Sequence, residues 1–127
     1  MDPIKQACFI LKLVLRARAP YDTGNLAINS IRIVENAVVI GGTDVANYAI
    51  YTNEPWINRP GKNPNEGWVQ RAIMEAAPLI QKALNKKITK EDLKIVKGYY
   101  RFIIERRRAE MKRRLKKMRE KIQGASA

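Results

Sequence analysis

The sequence predicts a small α+β fold: an N-terminal helix, an antiparallel sheet of about three to four strands, a helix packed on it, and a long basic C-terminal helix. Three observations predict this. Apolar residues recur at helical spacing over 4–15, 68–83 and 93–122. Short strand-like runs lie between the first two of these stretches, at 31–34, 37–40 and 47–52. The charge is also divided unevenly: residues 1–80 hold 8 Lys+Arg and 7 Asp+Glu, whereas residues 81–127 hold 17 and 5. The net charge of +13 therefore belongs almost wholly to the C-terminal part. The chain reads as an α+β domain over 1–87 followed by a basic helical extension over 88–127.

Each element has a local cause. Asp2-Pro3 is a helix start, because Asp accepts from an orphan N–H and Pro at the first position loses nothing. Ile4, Cys8, Leu11 and Leu15 fall on one stripe, with Ala7 and Val14 beside it, and predict a buried face on a helix over 3–18. Pro20 ends that helix through its effect on Ala19. Tyr21-Asp22-Thr23-Gly24-Asn25 is turn chemistry. Ile31-Arg32-Ile33-Val34 and Ala37-Val38-Val39-Ile40 read as a hairpin around Glu35-Asn36. Gly41-Gly42 closes it, and Asn47–Thr52 is a third strand.

Residues 53–66 have loop composition, with Pro55, Pro60, Gly61 and Pro64. A loop of this length points to function or mobility. Trp56 within it either folds back onto the core or anchors a neighbouring subunit. Asn65-Glu66 starts a second helix, whose stripe runs through Trp68, Ala72, Ala76, Leu79 or Ile80, and Ala83. Its small residues allow close packing, and Pro78 is expected to kink or divide it. Thr89-Lys90-Glu91-Asp92 is a capping signature. A helix over 92–123 would be about 48 Å long, too long for so small a domain to cover. Its apolar positions Ile104, Met111, Leu115, Met118 and Ile122 approach a seven-residue repeat.

Composition also excludes chemistries. The chain has no His and one Cys. That rules out Ser–His–Asp and Cys–His catalysis, imidazole metal sites, intramolecular disulfides and Cys-rich zinc sites. Cys8 reads as a core thiol. The carboxylates Asp2, Asp22, Glu35, Asp44, Glu54, Glu66 and Glu75 are scattered, and Gly41-Gly42-Thr43-Asp44 lacks a phosphate-loop lysine. No cofactor or metal is expected. Lys12 and Arg16 interrupt the apolar run 7–15, so export is not expected. No uncharged run approaches the ~20 residues needed to span a bilayer. A His-free ribonuclease acting through Tyr99, Glu105 and Arg106 stays as an alternative.

The strongest compositional signal is Arg106, Arg107, Arg108, Lys112, Arg113, Arg114, Lys116 and Lys117. On a helix these cations suit a phosphate backbone or an acidic protein face, or they are simply solvated. No aromatic follows Phe102, so base stacking is not suggested.

The run Ala19-Pro20-Tyr21-Asp22-Thr23-Gly24-Asn25-Leu26, continuing to Ser30-Ile31, resembles a segment of the neck and tail-completion proteins of long-tailed bacteriophages and related prophages. Gly41-Gly42-Thr43 resembles the strand end of that family, and Tyr48-Ala49-Ile50-Tyr51 its tyrosine strand. A Pro-rich loop then precedes an alanine-rich helix beginning Gly67-Trp68. The similarity covers residues 4–85. It departs from the family at Thr52-Asn53-Glu54-Pro55, where members often carry Glu-x-Gly-Thr, and in the basic continuation beyond the usual end.

The resemblance implies a non-enzymatic virion protein, assembled in the host bacterial cytoplasm, that joins the DNA-filled head to the tail. It implies a homo-oligomeric ring, hexameric by analogy, contacting other neck, portal-side or tail-tube proteins and no membrane. Tyr51 and the loop residues Glu54, Trp56 and Arg59 are then expected at subunit interfaces, and the basic helix is expected to contact DNA or an acidic partner. The alternative is a basic nucleic-acid-binding protein.

Overall fold

A computed structural model describes residues 2–20, 31–40, 52–55 and 60–126. These form α1 (Pro3–Arg18), β1 (Ile31–Val34), β2 (Ala37–Ile40), α2 (Trp68–Leu84) and α3 (Lys90–Ser126). The fold is mostly helical, and its sheet is the two-stranded antiparallel β1–β2 hairpin. The expected three to four strands exceed this. Tyr51 and the residues before it in the expected third strand lie outside the described residues, and Thr52, its last residue, is helical.

α1 starts as its sequence dictates: the Asp2 side chain accepts from the Ile4 N–H at 2.9 Å, with Pro in the first turn. It ends at Ala19, whose N–H reaches the Leu15 carbonyl at 2.8 Å. Its buried face is broader than the expected stripe. Ala7, Cys8, Ile10, Leu13, Val14, Leu15 and Ala17 are buried, whereas Ile4 is exposed and Leu11 only half-buried. The helix packs on three sides, against α2, α3 and the hairpin, so a single stripe underestimates what it covers. In the hairpin Val34 pairs with Ala37 and Ile31 with Ile40, which leaves Glu35-Asn36 as the turn. Glu35 takes a left-handed φ of 54°.

α2 lies along α1 through Ala72, Ala76 and Ala83, all buried, with Trp68 buried at its start. Small side chains let the two backbones approach, as expected from their spacing. Pro78 does not divide the helix. Pro78 and Met74 are both exposed, so water can replace the donor that the Met74 carbonyl lacks.

The α2–α3 connection is short because both ends are capped. Lys86 adopts φ 57°. Its N–H reaches the Ala83 carbonyl, and that of Lys87 the Lys82 carbonyl at 2.8 Å, which is a Schellman stop. Thr89 and Asp92 then form a reciprocal capping box. The Asp92 N–H donates to Thr89 Oγ1 at 3.0 Å, and the Thr89 N–H to Asp92 Oδ2 at 3.1 Å. The bond from the Thr89 N–H, and after it the Thr89 hydroxyl, hold the Asp92 carboxyl below its ordinary range. α3 runs for 37 residues, about 55 Å at 1.5 Å per residue. Leu93 and Tyr100 belong to the same core cluster as α1 and α2, with Val96, Ile103 and Ile104 packed against it. The change of charge near residue 80 is therefore not a change of packing.

Candidate nucleic-acid interface

Three arginines fix α3 and the hairpin to α1. Arg16 donates from Nε and Nη2 to the Ile31 carbonyl, at 3.2 and 2.9 Å, and so ties the first strand residue to the first helix. Arg107, half-buried, donates from its two terminal nitrogens to the carbonyls of Ala17 and Ala19. A cation there meets the negative end of the α1 dipole. Arg18 pairs with Glu75 at 3.0 Å, and Glu75 also accepts from the Tyr100 hydroxyl at 3.0 Å. One carboxylate on α2 thus joins all three helices. Burial, followed by the bond to Glu75, pushes the Tyr100 phenol up to about 12. The same carboxylate raises Arg18 above its ordinary value.

The eight cations singled out from the sequence divide accordingly. Arg107 is the one drawn into a structural contact. Arg106, Arg108, Lys112, Arg113, Arg114, Lys116 and Lys117 are exposed. Arg106 approaches Glu110 only to 3.8 Å across one helical turn, a contact worth a few tenths of a kcal/mol. Leu115, Met118 and Ile122 are exposed beside them, at 43%, 58% and 64%.

α1 and α3 run parallel where they pack and leave a cleft of about 250 Å³ between them. Phe9, Leu13 and Ile104 form its apolar floor, and Lys12, Arg16, Arg101 and Arg108 line it with Glu105. The ammonium groups of Lys12 and Lys97 lie 5.5 and 5.0 Å from the centre of the Phe9 ring. Four cations against one carboxylate make the cleft electropositive, and the groups register it. Lys12 is held below its usual value by burial, then by Arg16 and Arg101. Arg16 is lowered by burial, then by Arg108.

Of the expected interface residues, Tyr51, Trp56 and Arg59 lie outside the described residues. Glu54 is exposed, and its carbonyl accepts from Asn63 Nδ2 at 2.8 Å. Asn63 is itself buried and donates to the Thr52 carbonyl at 2.9 Å, while its Oδ1 takes the Asn65 N–H. Asn53 Oδ1 accepts from the Val69 N–H at 3.0 Å. It supplies the α2 cap that Gly67, at φ 75°, has no side chain to give. Trp68 Nε1 donates to Thr52 Oγ1 at 3.0 Å. The ends of the Pro-rich loop are thus pinned on both sides of residues 56–59.

Tyr99, Glu105 and Arg106 are all exposed. Tyr99 and Arg106 are about 10 Å apart along the helix axis, and Glu105 lines the α1–α3 cleft instead.

Sequence reasoning missed Lys12, Arg16 and Arg101 as partners of Arg108. The available signal was the i, i+4 pair Lys12–Arg16 inside an apolar run, an odd place for two cations unless they face something. Among the described residues, no helix is long and apolar enough to cross a membrane. No protein-family model, no characterised protein and no solved structure matches this chain.

Proposed function

We propose that the chain is a non-enzymatic structural protein of a phage neck, a subunit of an oligomeric ring that joins the DNA-filled head to the tail in the virion. One observation carries this reading: the ordered series Ala19–Ile31, Gly41-Gly42-Thr43, Tyr48–Tyr51, the Pro-rich loop and the helix opening Gly67-Trp68. Each piece alone is weak, but their order and spacing resemble those of the neck and tail-completion proteins. The helix–hairpin–loop–helix order of the described elements supports the reading. So does the pinned loop, which would present Tyr51, Glu54, Trp56 and Arg59 to a ring neighbour. Such contacts are heterologous and close by rotation. In this reading α3 extends from the ring toward DNA or toward an acidic neck, portal-side or tail-tube protein.

The test is electron microscopy of particles released from cells carrying the intact or deleted coding sequence. Deletion should give separate filled heads and tails, and supplying the full chain in trans should rejoin them. Joined, infectious particles from the deletion would overturn the proposal. A second reading, a basic nucleic-acid-binding protein that is not part of a particle, draws on the seven exposed cations between residues 106 and 117. Recovery of the chain with host nucleic acid and never with particles would favour it.

A further inference from the structure

The α1–α3 cleft carries charges that the fold does not use. Arg101 and Arg108 are exposed, and among the described residues neither they nor Lys12 has a carboxylate within ion-pair distance. Glu105 lies among them without pairing. Holding cations against an apolar floor costs free energy, first by desolvation and then by repulsion between them, and Lys12 and Arg16 are lowered by burial and, after it, by their cationic neighbours. An anion in the cleft would relieve that cost.

We propose that this cleft seats a backbone phosphate of duplex DNA, contacted by Lys12 from α1 and by Arg101 and Arg108 from α3. The inference rests on the cleft alone and stands whether or not the chain belongs to a phage neck. A polymer fits better than a free anion. Arg108, Lys112 and Lys116 follow at four-residue spacing along one face of α3, about 6 Å per step, and lead out of the cleft. A single phosphate could use only one of these stations. A duplex fits better than a single strand, because α3 has no aromatic beyond Phe102 and the one ring in the cleft, Phe9, already has two ammonium groups over it. Tyr99 and Phe102 are exposed but lie outside the cleft lining, so within the cleft bases would have nothing further to stack on, whereas phosphates would meet cations throughout.

The experiment is lysine acylation of the full chain, read residue by residue by mass spectrometry, with a mixed-sequence DNA duplex as the probe. Saturating duplex should slow acylation of Lys12 several-fold and leave Lys82, on α2, unchanged. Arg101→Gln with Arg108→Gln should abolish that protection and reduce the slope of log K against log salt by about 0.9 per lost contact. Both side chains are exposed, so the fold should survive. The double Lys variant should restore protection. An unchanged Lys12 under saturating duplex overturns the proposal. So does equal protection by inorganic phosphate at matched ionic strength, which would make the site one for a free anion. Equal protection by polyglutamate would likewise replace DNA with an acidic protein face.

Discussion

The two halves of α3 share one backbone and differ in almost everything else. Over 90–107 the helix is held by tertiary packing: Leu93 and Tyr100 are 9% and 5% exposed, and Arg107 reaches back to the end of α1. Over 108–126 its apolar side chains Leu115, Met118 and Ile122 are exposed, and most of the other side chains are charged. An isolated helix of that length is marginal in water, because nucleation is costly. The second half avoids that cost by propagating from a first half that packing has already ordered. Most of its residues (Ala, Glu, Lys, Leu, Met, Gln and Arg) have high intrinsic helix propensity, with Gly124 only near the end. Cations concentrate where, among the described residues, few side chains are buried, because there they need not be desolvated.

The sharpest way to break this comparison is a matched pair of truncations. Leu93→Ala should cost about 2–4 kcal/mol, since it empties a filled site in the core cluster. Leu115→Ala, the same chemical change 22 residues on, should stay within about 0.5 kcal/mol. Urea unfolding of the two variants checks it. Comparable losses would mean that the second half is also packed, on a surface of this chain or of another copy.

Next in size is the clasp at Glu75. Tyr100→Phe removes one buried hydrogen bond and should cost about 1 kcal/mol near neutral pH. The folded phenol is held at about 12 against an ordinary 10, so the neutral form is the one the fold favours. That contribution is complete below pH 10. It falls as pH rises from 10 toward 12, where the unfolded chain releases the proton and the folded chain does not. The gap in stability between wild type and Tyr100→Phe should therefore shrink across that window. Lysine titration is common to both proteins and cancels in the difference. A gap that stays constant to pH 12 would mean that the phenol is not held by Glu75.

The sequence made visible what rests on local chemistry. Asp2-Pro3 marks the start of α1, Glu35-Asn36 sets the hairpin register, and Thr89-Lys90-Glu91-Asp92 opens α3, because a cap or a two-residue turn is decided within a few residues. What the sequence hid depends on distant partners. Ile10, Leu13 and Ala17 are buried because three elements surround α1, which no single stripe encodes. Arg106, Arg107 and Arg108 read alike in sequence. Only a step of about 100° around the helix turns Arg107 toward the α1 C-terminus, where it is structural, and leaves Arg108 beside Lys12. Glu75 looked like one of several scattered carboxylates until α1 and α3 were placed on either side of it. The cleft is assembled from residues some ninety positions apart, Lys12 with Arg101 and Arg16 with Arg108, and periodicity carries no such information.

The smallest effect concerns the only glycine inside the packed half of α3. Gly98 is exposed, and a β-carbon built there meets no atom within 4 Å. Its φ is not in the left-handed region, so the backbone does not require glycine. Gly98→Ala should stabilise the protein by about 0.5–1 kcal/mol, by restricting the unfolded chain and removing a weak point in the helix. The gain has a meaning for the comparison. If the second half is helical because it propagates from the first, stiffening residue 98 should also slow amide exchange beyond residue 108, where no side chain has been changed. If exchange slows only around residue 98, the two halves are independent helices that happen to be continuous, and the basic half takes its order from elsewhere. Hydrogen exchange on the full chain, wild type against Gly98→Ala, distinguishes the two.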